Sequence, residues 1–312
     1  MSYKRFEAED LTISADSITA PVWSTGAPTL TSFETSSIQY GLNNQYYIDV
    51  YHTSSTSTET EVQFSIAYAD KPGSGSLFYN NNVNGKSPTS TTYGQYRTLV
   101  FGDEDTDFKL NSSVQENFYI ISIDRARYKE KLLPGAFEIT TDIGTYIDDS
   151  SERTTLEFCD AGRLYYIKRG TISGGITSTT EEGYFLPDIG TIIMRPNTIV
   201  ATPARSSNSN DENGKKFLDA LTSIRLNSEE TVSSQYAFVR VRNAEFNYST
   251  NPSNITGSGD IRHDIMINTP QSYITTVGLY NDNNDLLGVA KLSRPLLKDF
   301  TKEALVRIKL DF

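Results

Sequence analysis

A mainly β fold, of β-sandwich-like sheets with long loops and one or two short helices, is predicted from three observations. Ser, Thr and Asn are abundant and only 3 Met are present, a balance that favours strands and turns over packed helices. The 19 Tyr and 15 Phe supply large apolar surfaces with polar handles. Several segments alternate apolar and polar residues with period two, whereas a single one carries an apolar stripe at helical spacing. A chain of 312 residues is long enough to bury a substantial core.

Residues 1–94 read as an N-terminal β/loop region, open to two forms, a compact domain or an extended docking arm. STGAPTLTS (24–32) and HTSSTSTETE (52–61) are loop-like, rich in Ser, Thr, Gly and Pro. Between them and the next loop, Val62, Phe64, Ile66 and Tyr68 alternate with Gln63, Ser65 and Ala67, the pattern of a half-buried strand. KPGSGSLFYNNNVNGKSPTSTTYG (71–94) keeps neither period and reads as an exposed loop that ends at a domain boundary.

Residues 95–312 read as the main β domain, with a loop-rich insertion at about 142–188. Phe118–Ile123 is an apolar core strand, followed by a helical turn at Arg125–Lys131 that Pro134-Gly135 stops. Short strand-like pieces follow at Leu156–Phe158, Leu164–Lys168, Ile189–Met194 and Ile199–Ala201. After the polar SSNSNDENG, the segment KKFLDALTSIRL places Phe217, Leu218, Leu221, Ile224 and Leu226 on one stripe, which predicts a helix packed on a sheet. Ala237, Val239 and Val241 alternate with Phe238, Arg240 and Arg242. SYITTVGLY and DLLGVAKL flank Asn281-Asp282-Asn283-Asn284 as the arms of a hairpin, and Ala304 to Phe312 alternates as a final strand.

The charge of −11 and pI near 4.8 argue against nucleic acid as a direct partner, because phosphate binding is driven by clustered Lys and Arg. No apolar run reaches the roughly 20 residues that span a bilayer, and MSYKRFEAED turns acidic where a signal peptide turns apolar, so neither membrane insertion nor export is expected. One cysteine, Cys159, fits synthesis in a reducing cytoplasm and reads as a small core hydrophobe.

Chemical motifs are sparse. Gly214-Lys215-Lys216 resembles the end of a phosphate-binding loop, but Ser209 stands where its leading Gly belongs. Asp103 to Asp107 and Asn281 to Asp285 offer alternating oxygen ligands without the central Gly and distal Glu of a complete calcium loop, and read as solvated turns. Glu181-Glu182 reads as a solvent-exposed charge pair. The sequons at Asn111, Asn247 and Asn254 read as chance occurrences. His52 and His263 are too few to build a His-rich metal site or a strong case for a catalytic triad, and no cofactor is indicated. Arg125, Arg127, Lys129 and Lys131 form the one basic cluster, a candidate docking patch for an acidic neighbour beside the plainer reading of a solvated face.

Two stretches resemble virion proteins of T4-like contractile-tailed bacteriophages, especially those of cyanobacteria and other marine hosts. They are ENFYIISIDRARYKEKLLPGAFEI (116–139) and NAEFNYSTNPSN with NTPQSYITTVGLYNDNNDLLGVAKLSRPLLKDFTKEALVRIKLDF, which ends at Phe312. Together they cover about a third of the chain. The resemblance implies a structural protein of the virion, with the tail and its baseplate as the location, and it brings no catalytic residues. Expected partners are other tail and baseplate proteins and copies of the chain itself, assembled in the host bacterial cytoplasm. The function so expected is binding, not enzymatic. The competing readings are a receptor- or carbohydrate-binding module at the tail periphery, a neck or capsid-associated protein, and a glycan-degrading tail enzyme.

Overall fold

The computed structural model describes residues 4–35, 47–54, 60–75, 87–198 and 210–311. They form two compact units, Ser17–Glu230 and the paired ends Met1–Asp16 with Thr231–Phe312. In chain order the first elements are β1 (Leu11–Pro21), β2 (Thr29–Leu30), β3 (Glu34–Thr35), β4 (Tyr47–Tyr51), β5 (Val62–Asp70) and α1 (Pro88–Phe101). Strands β6 (Lys109–Leu110), β7 (Ser113–Val114), β8 (Asn117–Ile123), β9 (Lys131–Leu132), β10 (Glu138–Thr141) and β11 (Thr145–Asp148) follow. Next come β12 (Glu157–Cys159), β13 (Gly162–Thr171), β14 (Gly175–Leu186), β15 (Thr191–Met194), α2 (Asn210–Ala220) and β16 (Leu221–Arg225). The last are β17 (Asn227–Val241), α3 (Asp264–Asn268), β18 (Gln271–Tyr280), β19 (Leu286–Asp299) and β20 (Ala304–Asp311). The fold is mainly β, as predicted.

The larger unit is organised by one 12-stranded antiparallel sheet of order β2-β16-β10-β11-β13-β14-β15-β8-β5-β4-β3, with β12 added beside β13. Period-two alternation sends successive residues to two cores. Tyr119, Ile121, Phe185 and Ile192 enter one, and Phe118, Ile120, Tyr184 and Ile193 enter the other. Leu30 and Ile224, near one end of the strand order, share the first core with Val50 and Phe64, near the other. The sheet therefore curls, so that a single sheet encloses a sandwich-like core. Phe217 of α2 caps that core, while Tyr93 and Val100 of α1 fill the second.

In the smaller unit, β17 pairs with β20 from Ser234↔Asp311 to Val241↔Ala304. The hairpin β18–β19 forms a separate two-stranded sheet. Lys4 Nζ ties the N-terminal segment to the Arg240 carbonyl at 2.5 Å.

Several expectations are corrected. The boundary at residue 94 falls inside α1, and β5 pairs with β8 from Phe64↔Ile123 to Asp70↔Asn117, so β4, β5 and the start of α1 belong to the larger unit. The supposed insertion at 142–188 contains β11, β13 and β14, which are interior strands of the large sheet. The strand read as half-buried is covered more than its alternation suggests: α1 packs over it, Gln63 is as inaccessible as Phe64, and Ser65 and Ala67 are partly buried.

Of the loop read at 71–94, residues 76–86 lie outside the described residues and 88–94 are helical. Ser87 caps α1, Pro88 occupies its first turn, and Gly102 closes it in the left-handed region at φ 66°. The predicted stripe of KKFLDALTSIRL is buried but not continuous as a helix: α2 ends at Ala220, and Leu221, Ile224 and Leu226 reach the same core from the strand β16 and just after it. Thr222, Ser223 and Ile224 are poor helix formers, and Ser223 and Ile224 pair with β10. The turn expected to run from Arg125 to Lys131 is a short 3-10 turn over Arg125–Arg127, followed by extended pairing of Lys131–Leu132 with β17. Ile199–Ala201 and residues 206–209 lie outside the described residues.

Candidate interaction surface

The basic cluster is engaged with the chain's own groups. Arg125 lies over the Tyr128 ring at 4.7 Å and donates to the Tyr128 carbonyl at 2.6 Å. Arg127 meets Glu61 and Lys129 meets Glu230, each at 2.5 Å, and Lys131 lies 3.8 Å from Glu229. The carboxylates offset most of the charge that would attract an acidic neighbour, leaving Arg125 and Lys129 as the exposed cations of the four.

The other singled-out groups have local structural tasks. Asp103 accepts from Asp105 N and Thr106 Oγ1, which holds its carboxyl below the usual range, while Asp107 pairs with Lys71 at 2.6 Å. Asn281 Oδ1 accepts from the backbone of Asn283 and Asp285, which closes the hairpin turn. Among the described residues no group of three or more His, Cys, Asp or Glu is gathered as a metal set.

Cys159 packs partly buried against the second core, and burial pushes its thiol pKa up. That disfavours the thiolate a nucleophile needs. Glu181 and Glu182 are half-buried and not solvent-exposed as predicted: Glu181 accepts from Asn111 N at 2.6 Å, and Glu182 sits 3.5 Å from Arg195 with its pKa raised by burial. Gly214 serves packing, since a Cβ there would lie 2.4 Å from Ile48 Cδ1. His52 shares a hydrogen bond with Ser24, and His263 precedes α3.

All three sequon asparagines are occupied. The side-chain amide of Asn111 donates to the Glu181 carbonyl, that of Asn247 to the Asn243 carbonyl and that of Asn254 to the Ser249 carbonyl.

The smaller unit presents a different surface. Its buried apolar cluster is only Ala237, Val306 and Ile308, with partly buried Val277, Leu279, Ala290 and Leu292 packed against it from the hairpin. The register Val277↔Ala290 and Gly278↔Val289 sends alternate residues to the opposite face. There Val289 is 60% exposed and Tyr280 37%, and Leu287, in the bulge between Leu279↔Gly288 and Tyr280↔Leu286, is 71% exposed. Ile265, Leu305 and Phe300 are exposed elsewhere in the unit. About two thirds of the exposed large apolar side chains of the described residues lie in this unit, under a third of the chain. This concentration of exposed apolar side chains makes the unit the candidate interaction surface.

One polar anchor holds the hairpin's end. Lys298 is fully buried, and its ammonium donates to the Asn243 carbonyl at 2.9 Å, Asn247 Oδ1 at 2.5 Å and the Asp299 carbonyl at 2.9 Å. Three acceptors replace the hydration of the charge, as a buried lysine requires.

The sequence reading found the hairpin but missed this surface. A signal was present: in DLLGVAKL, Leu287 and Val289 occupy one parity while Ala290 and Leu292 occupy the other, so both faces of β19 are apolar. Comparison with protein-family models, with curated proteins and with solved structures finds no match to this chain.

Proposed function

We propose that this chain is a structural subunit of a phage virion, in the contractile tail or baseplate, and that it works by protein-protein assembly. The observation that supports this best is the smaller unit, whose core is three side chains while its hairpin turns Leu287, Val289 and Tyr280 to solvent. One face of the two-stranded hairpin packs on that small core, and its other, apolar face would gain from a surface that covers it. The same segment, 243–312, carries most of the resemblance to tail proteins.

The larger unit would act as the rigid scaffold. Its curled sheet, buried on both faces, holds loop and edge positions while the partner surface is covered elsewhere. The buried positions of Tyr68, Tyr93, Tyr119 and Tyr184 supply core packing and weigh against the sugar-stacking alternative.

The test is cross-linking mass spectrometry on purified particles, read at the exposed Lys129, Lys215 and Lys291. Links to baseplate, sheath or fibre proteins are expected. Links to capsid or neck proteins alone would move the subunit within the particle, and absence of the chain from the particles would end the proposal.

A further inference from the structure

The two outer edges of the β18–β19 hairpin differ in chemistry. Strand β19 carries Lys291, Arg294, Pro295 and a large bulge, where the register moves from Thr276↔Lys291 to Ile274↔Leu296. Charge, proline and bulges are the devices that keep an open edge from pairing with another chain. Strand β18, Gln271 to Tyr280, has none of the first two over its whole length: it reads Gln-Ser-Tyr-Ile-Thr-Thr-Val-Gly-Leu-Tyr. Among the described residues no strand pairs with its outer edge.

Charge favours a second copy as the occupant. Residues 1–16 and 231–312 hold 11 Lys and Arg against 12 Asp and Glu, a net −1, which leaves −10 of the chain's −11 on residues 17–230. Two copies approaching through their larger units repel each other, whereas the smaller units are close to neutral. An antiparallel meeting of β18 with β18 sets no charge opposite a like charge. A meeting of two β19 strands would oppose Lys291 and Arg294 across a bulge.

We propose that the outer edge of β18 pairs antiparallel with β18 of a second copy about a twofold axis, joining two hairpins into one four-stranded sheet. The proposal rests on the assembly reading above and names one of its contacts. Such an isologous contact uses the same edge twice and closes on itself. It also lifts each hairpin past the three strands a sheet needs for stability, and extends the apolar face of Val289 and Tyr280 across the new axis.

The experiment uses the purified full-length chain. Sedimentation velocity over about 1–100 µM is expected to show a reversible dimer, with amide exchange at 271–280 slowing as concentration rises. Thr275→Lys, on the open edge, is expected to weaken the dimer by about tenfold or more, and Ser293→Lys, on the guarded strand, to change it by less than about twofold. The exchange pattern of the unsubstituted chain tests the edge independently of whether either variant folds.

A monomer across the whole range would overturn the pairing. So would a dimer that leaves the exchange of 271–280 unchanged, or equal weakening by both substitutions. A monomeric chain still present in purified particles would overturn the pairing alone. A dimer through β18 from a chain absent from particles would overturn the assembly reading alone.

Discussion

Asn111 and Glu181 grip each other's backbone. Glu181 N donates to Asn111 Oδ1 at 3.0 Å, Asn111 Nδ2 donates to the Glu181 carbonyl at 2.8 Å, and Asn111 N donates to Glu181 Oε2 at 2.6 Å. The pair fastens the β6–β7 turn, whose tip residues Asn111 and Ser112 both have positive φ, to the edge of β14. Asparagine suits both tasks, because it tolerates the left-handed region and carries a donor and an acceptor on one short arm. Asn111→Ala removes two side-chain bonds and adds backbone strain, with an expected loss of about 2–3 kcal/mol in urea unfolding. Asn111→Gly, which relieves the strain alone, should recover about 1 kcal/mol of it.

Asp148 makes stability depend on pH in an unusual direction. Burial, the largest cause, raises its pKa above the ordinary 3.8 despite hydrogen bonds from Gly135 N and Ser150 N. A carboxyl whose folded pKa is raised holds its proton more tightly in the native state, so its contribution to stability falls as pH rises from 3.8 through the raised value. Asp148→Asn removes that titration. Comparing urea midpoints at acidic and neutral pH should therefore show the variant gaining on the unsubstituted chain as pH rises, and a constant difference would contradict the assignment.

Lys298 anchors the hairpin through Asn243, Asn247 and Asp299. Lys298→Met keeps the aliphatic stem but leaves the buried Asn247 Oδ1 without this donor and takes one donor from the partly buried Asn243 and Asp299 carbonyls, for an expected cost of about 2–3 kcal/mol. Amide exchange should show the loss concentrated in 243–247 and 296–299. A uniform change across both units would argue that Lys298 is not a local anchor.

Leu287 and Val289 face solvent, so Leu287→Ser with Val289→Thr should alter thermal stability by no more than about 0.5 kcal/mol. The same double substitution should lower binding of a hydrophobic dye and reduce incorporation into particles. A large loss of stability would mean that the face is already covered within the chain.

Gly183 marks a close approach of two strands. A Cβ there would lie 2.1 Å from the Ile193 carbonyl oxygen, which is backbone in the register Gly183↔Met194 and has no flexible end to yield. Gly183→Ala should force β14 from β15 and cost about 2–3 kcal/mol, measured as a shift in the urea midpoint.

Local periodicity was enough to place much of the secondary structure. The alternation of Val62 to Tyr68, Ala237 to Val241 and Ala304 onward predicted β5, part of β17 and β20, and the Asn281-to-Asn284 turn predicted the β18–β19 hairpin. These are readable because side-chain period and turn chemistry depend on neighbours in sequence. Helix α1 was missed because Thr89, Thr92 and Gly94 are weak helix formers; its Ser-Pro start and the closing Gly102 were the available signals. The stripe of KKFLDALTSIRL correctly marked core residues but not their conformation, since β10 and β2 supply the pairing that makes Leu221–Arg225 a strand.

Tertiary structure alone decided the rest. It joined Met1–Asp16 to Thr231–Phe312 in one unit, where composition suggested a cut at residue 94. It gave Arg127, Lys129 and Lys131 carboxylate neighbours from Glu61, Glu230 and Glu229, and turned one apolar face of β19 outward while the other met Ala237 and Val306. Strand order, ion pairing and edge exposure depend on contacts between residues far apart in the chain, which a local period does not encode.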